Sequence, residues 1–188
     1  MTSTSRSYFE RMYRENADPW GFESSPYEER KYAITVASLP RPRYRSAYEP
    51  GCSIGVLTEL LATRCDRLLS TDIIPSALQR AEDRLRKNSQ VLVQERSIPD
   101  QWPPGPFDLV VLSEIAYYFN VTDLGSVMAC VMDSTVPGAH VVAVHWRGET
   151  DYPLTGDGSH RVIAMTPGLF TVVHHAEEDF VLDIWERL

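Results

Sequence analysis

The sequence lacks any long apolar segment. No run of about 18 apolar residues occurs anywhere in the 188 residues, and the opening MTSTSRSYFERMY has no apolar stretch of the signal-peptide type. We therefore expect neither export nor membrane insertion, and a cytoplasmic location. The composition is 43% hydrophobic and 23% charged, near the average of folded proteins, and the length suits one domain with a sizeable core.

Basic residues are also scarce relative to acidic ones. The 18 Lys and Arg residues stand against 26 Asp and Glu residues, which gives a formal net charge of -8. Nucleic-acid-binding proteins usually present a basic patch, so the predicted partner is a small molecule, with neither nucleic acid nor membrane. Lysine occurs only as Lys31 and Lys87, an arginine bias typical of a GC-rich bacterial genome.

Closely paired cysteines are absent as well. Cys52, Cys65 and Cys130 are odd in number and do not have the spacing of a zinc or redox motif. We expect reduced thiols that behave as small buried residues, and no metal site built on cysteine.

Alternating apolar runs and helical periods predict a β/α series after an N-terminal preface, residues 1–22. Predicted helices include 26–39, where Ser25, Pro26 and Glu28 form a capping box, 75–87 and 123–133. Predicted strands are 44–49, 67–71, 91–94, 107–112, 140–145, 170–174 and 180–185, with a turn at Pro137-Gly138 before the fifth. The fold class is α/β, a doubly wound, mostly parallel seven-stranded Rossmann-like sheet whose last two strands form an antiparallel hairpin.

The turn after the first strand carries the main functional signal. A dinucleotide-binding turn needs G-x-G-x-x-G, because a pyrophosphate approaches the backbone there, but Ser53 occupies the second glycine position. The remaining pattern, Glu49-x-Gly51-x-x-x-Gly55 with Cys52 inside it, suits a ligand without phosphate. The acidic residue can receive an ammonium group directly or through water, and S-adenosyl-L-methionine carries such a group.

A second acidic residue supports this cofactor. Asp72 ends the second strand about twenty positions after Gly51, where a carboxylate can bind both ribose hydroxyls. Its neighbour Ile73, together with Ser97 and Ile98 after the third strand, is predicted to contact the cofactor, with Ser97 near the adenine amine. Glu114 follows the fourth strand at the same edge.

These residues resemble the nodulation protein S family of class I methyltransferases over most of the chain. The resemblance rests on Asp18-Pro19-Trp20 with Ser25 to Arg30, on Glu49 to Gly55 with Thr58-Glu59, on Asp72 with Pro75, and on Phe107-Asp108-Leu109, Glu114 and Tyr117-Tyr118. It implies N-methylation of an amino sugar at the end of a chitooligosaccharide, with S-adenosyl-L-homocysteine as the other product. It also implies a helical cap over the cofactor, in which Tyr8, Tyr13 and Trp20 either close the pocket or anchor the cap. Ser97 departs from the family, whose members tend to carry Asp there.

We expect one methyltransferase domain, with residues 1–40 as the N-terminal cap and first helix and 44–188 as the core. Methyl transfer needs an acceptor lone pair, so a base beside the acceptor is required. The candidates are His145 at the end of the fifth strand, His160 in a Gly- and Asp-rich loop, Glu114 and Tyr118. Tyr117-Tyr118-Phe119 and Trp146 offer flat surfaces of the kind that stack on sugar rings.

Several alternatives stay open. The acceptor atom can be a nitrogen or an oxygen, and the protein can be a monomer or a homodimer. His145, Asp151, Asp157 and His160 could gather a divalent metal, as in some sugar O-methyltransferases, although no tight ligand spacing supports it. A nicotinamide-dependent reductase is opposed by Ser53, whereas an inactive cofactor-binding module could keep every motif.

Overall fold

The computed structural model describes residues 2–188, so Met1, the first residue of the predicted preface, lies outside the described part of the chain. Two compact units make up the described chain. We call residues 5–96 the N-terminal unit, and residues 97–188 with residues 2–4 the C-terminal unit. The expectation of a single domain stays a prediction.

The N-terminal unit is a parallel β/α unit preceded by two helices. Its elements are α1 (Arg6–Glu15), α2 (Pro26–Ala37), β1 (Ala47–Pro50), α3 (Val56–Ala62), β2 (Leu68–Asp72), α4 (Pro75–Leu85) and β3 (Val91–Glu95). β2 pairs in parallel with β1, with Leu68 opposite Ala47, and with β3, with Leu68 opposite Val91. β1 starts three residues later than predicted, and Tyr44 makes only an isolated bridge to Cys65.

The start of α2 follows the predicted capping pattern in part. Ser25 Oγ accepts a hydrogen bond from Glu28 N at 3.4 Å, and Pro26 occupies the first turn. In a full capping box the Glu28 side chain would accept a hydrogen bond from Ser25 N. Here Ser25 N donates to Gly21 O. The Glu28 carboxylate instead forms an ion pair of 2.9 Å with Lys31, which is 1% exposed.

The C-terminal unit contains the antiparallel part of the fold. Its elements are β4 (Phe107–Ser113), the 3₁₀ helix η1 (Ala116–Tyr118), α5 (Val121–Ser134), β5 (Thr135–Trp146), α6 (Gly156–Ala164), β6 (Leu169–Ala176) and β7 (Phe180–Arg187). β4 and β5 are parallel, whereas β7 runs antiparallel to both β5 and β6.

The seven strands have the order β3-β2-β1-β4-β5-β7-β6. This mostly parallel sheet with an antiparallel C-terminal hairpin confirms the predicted fold class. β4 is buried along almost its whole length, as its continuous apolar run predicts. Among residues 2–188, none of the helices combines the length and the apolar character that a membrane span requires.

Two local predictions are wrong. Pro137-Gly138 lies within β5 and not in a turn before it, and a register shift between Phe107 and Leu109 of the neighbouring β4 accommodates this irregular part of the strand. Residues 156–164 form α6 and not a loop, because Thr155 Oγ1 caps the helix by accepting from Gly158 N at 3.0 Å.

Candidate active site

The chain reverses after β1 through a turn, residues 51–55, in which the left-handed backbone conformation recurs. The φ angle is 73° at Gly51, 52° at Ser53 and 80° at Gly55. Gly51 N and Cys52 N both donate to the carbonyl of Thr71, at 2.6 and 2.9 Å, so β2 holds the turn in place. Glycine adopts this conformation freely, whereas Ser53 adopts it against its steric preference. The turn therefore has glycine at two left-handed positions and carries the side chain of Ser53 between them.

The side chain of Glu49 is buried near the carboxyl end of β1. The residue is 2% exposed, and its Oε2 accepts hydrogen bonds from Thr58 Oγ1 at 2.6 Å and Ser70 Oγ at 2.9 Å. Burial raises the pKa of Glu49 to about 7, although both hydroxyl donors act to lower it. Oε1 is therefore the oxygen of Glu49 that remains for the predicted contact with an ammonium group.

Asp72 fastens the glycine turn to the start of α4. Its Oδ2 accepts from Ser53 N at 2.9 Å, and its Oδ1 accepts from Ile74 N at 3.0 Å. Burial raises the pKa of this carboxyl above its ordinary value, against the lowering effect of the backbone N–H groups. Each oxygen keeps a further acceptor position, so the predicted binding of ribose hydroxyls is compatible with this structural role.

Tyr13 and Trp20 connect the preface to the turn. The Tyr13 hydroxyl of α1 is hydrogen-bonded to Ser53 Oγ, and burial raises the pKa of Tyr13. Its ring meets Trp20 edge-on at 5.6 Å between centroids. A buried cluster of Tyr13, Ile54, Ile74 and Ala77 is flanked by Phe9, Trp20, Phe22, Val56 and Ile73. The aromatic side chains therefore act as anchors for the cap, and the predicted contacts of Tyr13, Trp20 and Ile73 with a cofactor stay predictions.

The other predicted cofactor residues differ in exposure. Cys52 is 6% exposed, and burial raises the pKa of its thiol well above the ordinary value. Ser97 is exposed; its N–H donates to Gln101 Oε1 at 2.8 Å, and Ile98 beside it is half-buried. Ser97 and Ile98 belong to the C-terminal unit, and their contact with adenine stays a prediction.

Glu114 lies directly after β4 in the left-handed conformation, with φ 51°. Its N–H donates to Val144 O at 2.9 Å, so β5 fixes the backbone at this point. Its Oε2 accepts from Tyr117 Oη at 2.6 Å and from Trp146 N at 3.0 Å. Burial raises the pKa of Tyr117 well above its ordinary value, so this phenol remains a donor to the carboxylate. Glu114 thus stands at the carboxyl ends of two parallel strands, where ligands bind in α/β sheets.

Three tyrosines pack together beside Glu114. Tyr118 meets Tyr117 at 4.7 Å and Tyr152 at 4.6 Å between ring centroids, and Tyr117 and Tyr152 are 5.1 Å apart. Leu154 N donates to Tyr117 O, which holds the loop before α6 against η1. Tyr152 was not among the residues that the sequence predicts for the site, since nothing in its local pattern distinguishes it.

The two histidines predicted as bases face the interior. His145 is 0% exposed and His160 is 5% exposed. His145 Nε2 accepts from Ala116 N at 3.0 Å, and its Nδ1 lies 3.0 Å from His160 Nε2. His160 Nδ1 lies 2.5 Å from Asp183 Oδ2. Both nitrogens of each ring make hydrogen bonds inside the protein, which argues against direct proton abstraction, and the roles of His145 and His160 as bases stay predictions.

The described residues do not support the metal alternative. Within residues 2–188, no group of three or more His, Cys, Asp and Glu side chains is arranged to hold an ion. Asp157 instead forms an ion pair with Arg147 Nε at 3.1 Å, and His160 is paired with Asp183.

The fold is that of the class I methyltransferases. A crystal structure of N-methyltransferase NodS from Bradyrhizobium japonicum WM9 with S-adenosyl-L-homocysteine superimposes with a TM-score of 0.85 and 25% identity, over 96% of this chain and 97% of that one. A candidate methyltransferase from Pseudomonas syringae has a TM-score of 0.77 and 39% identity, over 86% of this chain and 99% of that one.

The sequence defines the family more narrowly. The Nodulation protein S (NodS) family matches residues 5–137, and the chain belongs to that family. Nodulation protein S of Rhizobium tropici is 29% identical over 127 residues, which cover 66% of this chain and 53% of the relative. The chain thus spans about half the length of the curated relatives that it matches, and the match to the family ends before His145.

Proposed function

We propose that the chain is an S-adenosylmethionine-dependent methyltransferase that methylates a nitrogen of a small acceptor. The single observation that carries the cofactor assignment is the pair of carboxylates at the glycine turn. Glu49 is the second-last residue of β1, beside the turn, and Asp72 accepts a hydrogen bond from Ser53 N within the turn. Two carboxylates favour an ammonium group and ribose hydroxyls, and they repel a pyrophosphate.

Oε1 of Glu49 supports the ammonium contact further. Thr58 and Ser70 both donate to Oε2, and within residues 2–188 no hydrogen bond involves Oε1. The two hydroxyls fix the rotation of the carboxyl group and so fix the direction of Oε1. The cofactor supplies a methyl group on a sulfonium, and the residues of this chain hold it and exclude water.

Glu114 is the base that the geometry of the C-terminal unit supports best. Its Oε2 is occupied by Tyr117 and Trp146 N, which orient the carboxylate after β4. A carboxylate in this position can take a proton from an ammonium acceptor, which must be neutral before it attacks. Tyr118 and Tyr152 offer aromatic surface beside it, of the kind that stacks on a sugar ring or attracts a cation.

A nitrogen acceptor is preferred because the relative from Bradyrhizobium japonicum is an N-methyltransferase of the same family. The amino sugar that the family resemblance implies, at the end of an oligosaccharide, is the acceptor that we propose to test first. We propose that the protein acts in the cytoplasm, as a monomer or a homodimer, without nucleic acid or membrane.

Isothermal titration with S-adenosyl-L-methionine, S-adenosyl-L-homocysteine and NADH tests the cofactor. We expect binding of the first two and no binding of NADH, and binding of NADH alone would overturn the proposal. Asp72→Asn keeps one acceptor oxygen for Ser53 N, so we expect the fold to survive and the cofactor affinity to fall about tenfold. Turnover with an amino sugar separates an enzyme from an inactive binding module.

A further inference from the structure

Four side chains of the C-terminal unit form a continuous hydrogen-bonded chain. It begins at Ala116 N and passes through His145 and His160 to Asp183, with separations of 3.0, 3.0 and 2.5 Å. Asp183 Oδ1 then meets His174 Nδ1 at 2.7 Å, and the His174 side chain is 63% exposed. These hydrogen bonds therefore connect the exposed side chain of His174 with the backbone of η1. We call His145, His160 and Asp183 the buried relay.

One proton arrangement satisfies every link of the buried relay. A backbone N–H can only donate, so the Nε2 atom of His145 must carry a lone pair and its Nδ1 atom must carry the proton. That proton makes the Nε2 atom of His160 an acceptor, which leaves the proton of His160 on Nδ1, directed at Asp183. Both rings are therefore neutral Nδ1–H tautomers, and the Nδ1–H group of His160 faces the carboxylate of Asp183.

The surroundings of the buried relay favour the charged form of Asp183 and a fixed geometry. Burial acts to raise the pKa of Asp183, but the hydrogen bonds from His160 and His174 outweigh it and lower the pKa below the ordinary value. Rings of Tyr117 and Trp185 pack against His145 and His160, at 5.1 and 5.8 Å between centroids. Hydrogen bonds in such an apolar setting are strengthened, and their loss costs more than at the surface.

The hydrogen bond between Ala116 N and His145 acts on the segment that contains Glu114, the proposed base. Ala116 begins η1, between Glu114 and its partner Tyr117, and no side chain other than His145 is hydrogen-bonded to Ala116 N in the described chain. We propose that His145, held by His160 and Asp183, is a positioning residue that sets Glu114 and Tyr117 for the methyl acceptor. The inference rests on the proposed function for the identity of the reaction. Family membership does not account for it, because the buried relay lies after residue 137, where the family match ends.

A matched pair of substitutions at one position tests the proposal. In His145→Gln the amide group reaches the place of Nε2 and can accept from Ala116 N. In His145→Asn the amide reaches only the place of Nδ1, so it keeps a link toward His160 and loses Ala116 N. We expect His145→Asn to lower kcat by on the order of 100-fold, as for a misplaced catalytic group. We expect His145→Gln to recover most of that loss.

Two further readouts separate positioning from general destabilisation. Affinity for S-adenosyl-L-homocysteine, by titration, should be the same in both variants and in the parent. His175→Gln is the control. His175 lies on β6 beside His174, but it pairs with Glu177 and takes no part in the hydrogen bonds that link His174 to Ala116. It should leave kcat unchanged. Equal kcat in His145→Asn and His145→Gln, or parent-like kcat in both, would overturn the proposal.

A spectroscopic test does not depend on turnover, so it stays informative if the methyltransferase assignment fails. In the protein labelled with ¹⁵N-histidine, the long-range ¹H–¹⁵N spectrum distinguishes the two neutral tautomers. Besides His174, whose Nδ1 atom also faces Asp183, we expect His145 and His160 to be Nδ1–H forms in the parent, and only His160 of this pair to keep that form in His145→Gln. Two Nε2–H forms in their place would show that the buried relay does not bind Ala116 N.

Discussion

The hydroxyl of Tyr13 is hydrogen-bonded to Ser53 Oγ, so the first helix of the chain is attached to the residue that interrupts the glycine pattern. In a dinucleotide-binding turn a glycine stands at this position so that phosphate can approach. Here the side chain of Ser53 occupies the position, and its N–H is bound by Asp72. The departure from the pyrophosphate fingerprint is therefore also the means by which the cap is joined to the turn.

Loss of the hydrogen bond between Tyr13 and Ser53 should weaken cofactor binding, because α1 is then held less firmly against the turn. A neutral hydrogen bond contributes about 1 kcal/mol, so Tyr13→Phe and Ser53→Ala should each reduce S-adenosyl-L-methionine affinity roughly fivefold. Because both changes break the same bond, the double variant should lose little more than either single one. Titration of the four proteins checks this, and strictly additive losses would contradict it.

Gly55 should tolerate a side chain poorly. Its φ is +80°, and a Cβ would lie 3.1 Å from Ala81 Cβ, so Gly55→Ala combines backbone strain with crowding against α4. We expect a loss of roughly 2 to 4 kcal/mol in the free energy of unfolding in urea. Gly21→Ala is the matched control, because φ is +71° there and nothing lies within 4 Å of the added Cβ. It should lose only about 1 kcal/mol, and equal losses at both sites would contradict the crowding argument.

The sequence predicts the arrangement of the glycine turn because its signals are local. Glu49, Gly51 and Gly55 lie in one turn, and Asp72 ends the next strand, so spacing alone brings them together. The structure adds that half of the Glu49 carboxyl is used by Thr58 and Ser70, which periodicity cannot show.

The contacts of the C-terminal unit are harder to predict because they link positions that are distant in the sequence. His145, His160 and Asp183 belong to three elements, and one of these, α6, was predicted as a loop on account of Gly156 and Gly158. Gly156 is required by the packing of α6 on β5. A Cβ at this position would lie 2.4 Å from Trp146 O, so glycine lets α6 approach β5 closely. A composition that resembles a loop can thus serve a tightly packed helix.

The buried carboxyl of Glu49 should make the cofactor-free protein less stable as the pH rises. Its pKa is about 7 in the folded chain against an ordinary 4.5, so between these values the folded state keeps a proton that the unfolded chain has lost. The stabilisation is complete below about pH 4.5 and is lost as the pH rises to about 7, on the order of 3 kcal/mol.

Glu49→Gln should remove this pH dependence. Urea unfolding from pH 5 to 8 should show the variant gaining stability relative to the parent as the pH rises, while Glu82→Gln, an exposed change on α4, should follow the parent. Parallel curves for Glu49→Gln and the parent would contradict the burial argument. Cofactor affinity of the parent should rise with pH up to about 7, since an ammonium group favours the ionised carboxylate.

Glu114 should be required for turnover and not for cofactor binding. Glu114→Gln keeps the size of the side chain and can still accept from Tyr117 Oη, but it cannot take a proton, so kcat should fall by on the order of 100-fold or more. Tyr117→Phe removes one donor to the same carboxylate and should lower kcat about fivefold, because it disturbs orientation while the base remains. Single-turnover rates with an amino-sugar acceptor and titration with S-adenosyl-L-homocysteine check both effects. A Glu114→Gln protein with the parent's single-turnover rate would exclude Glu114 as the base.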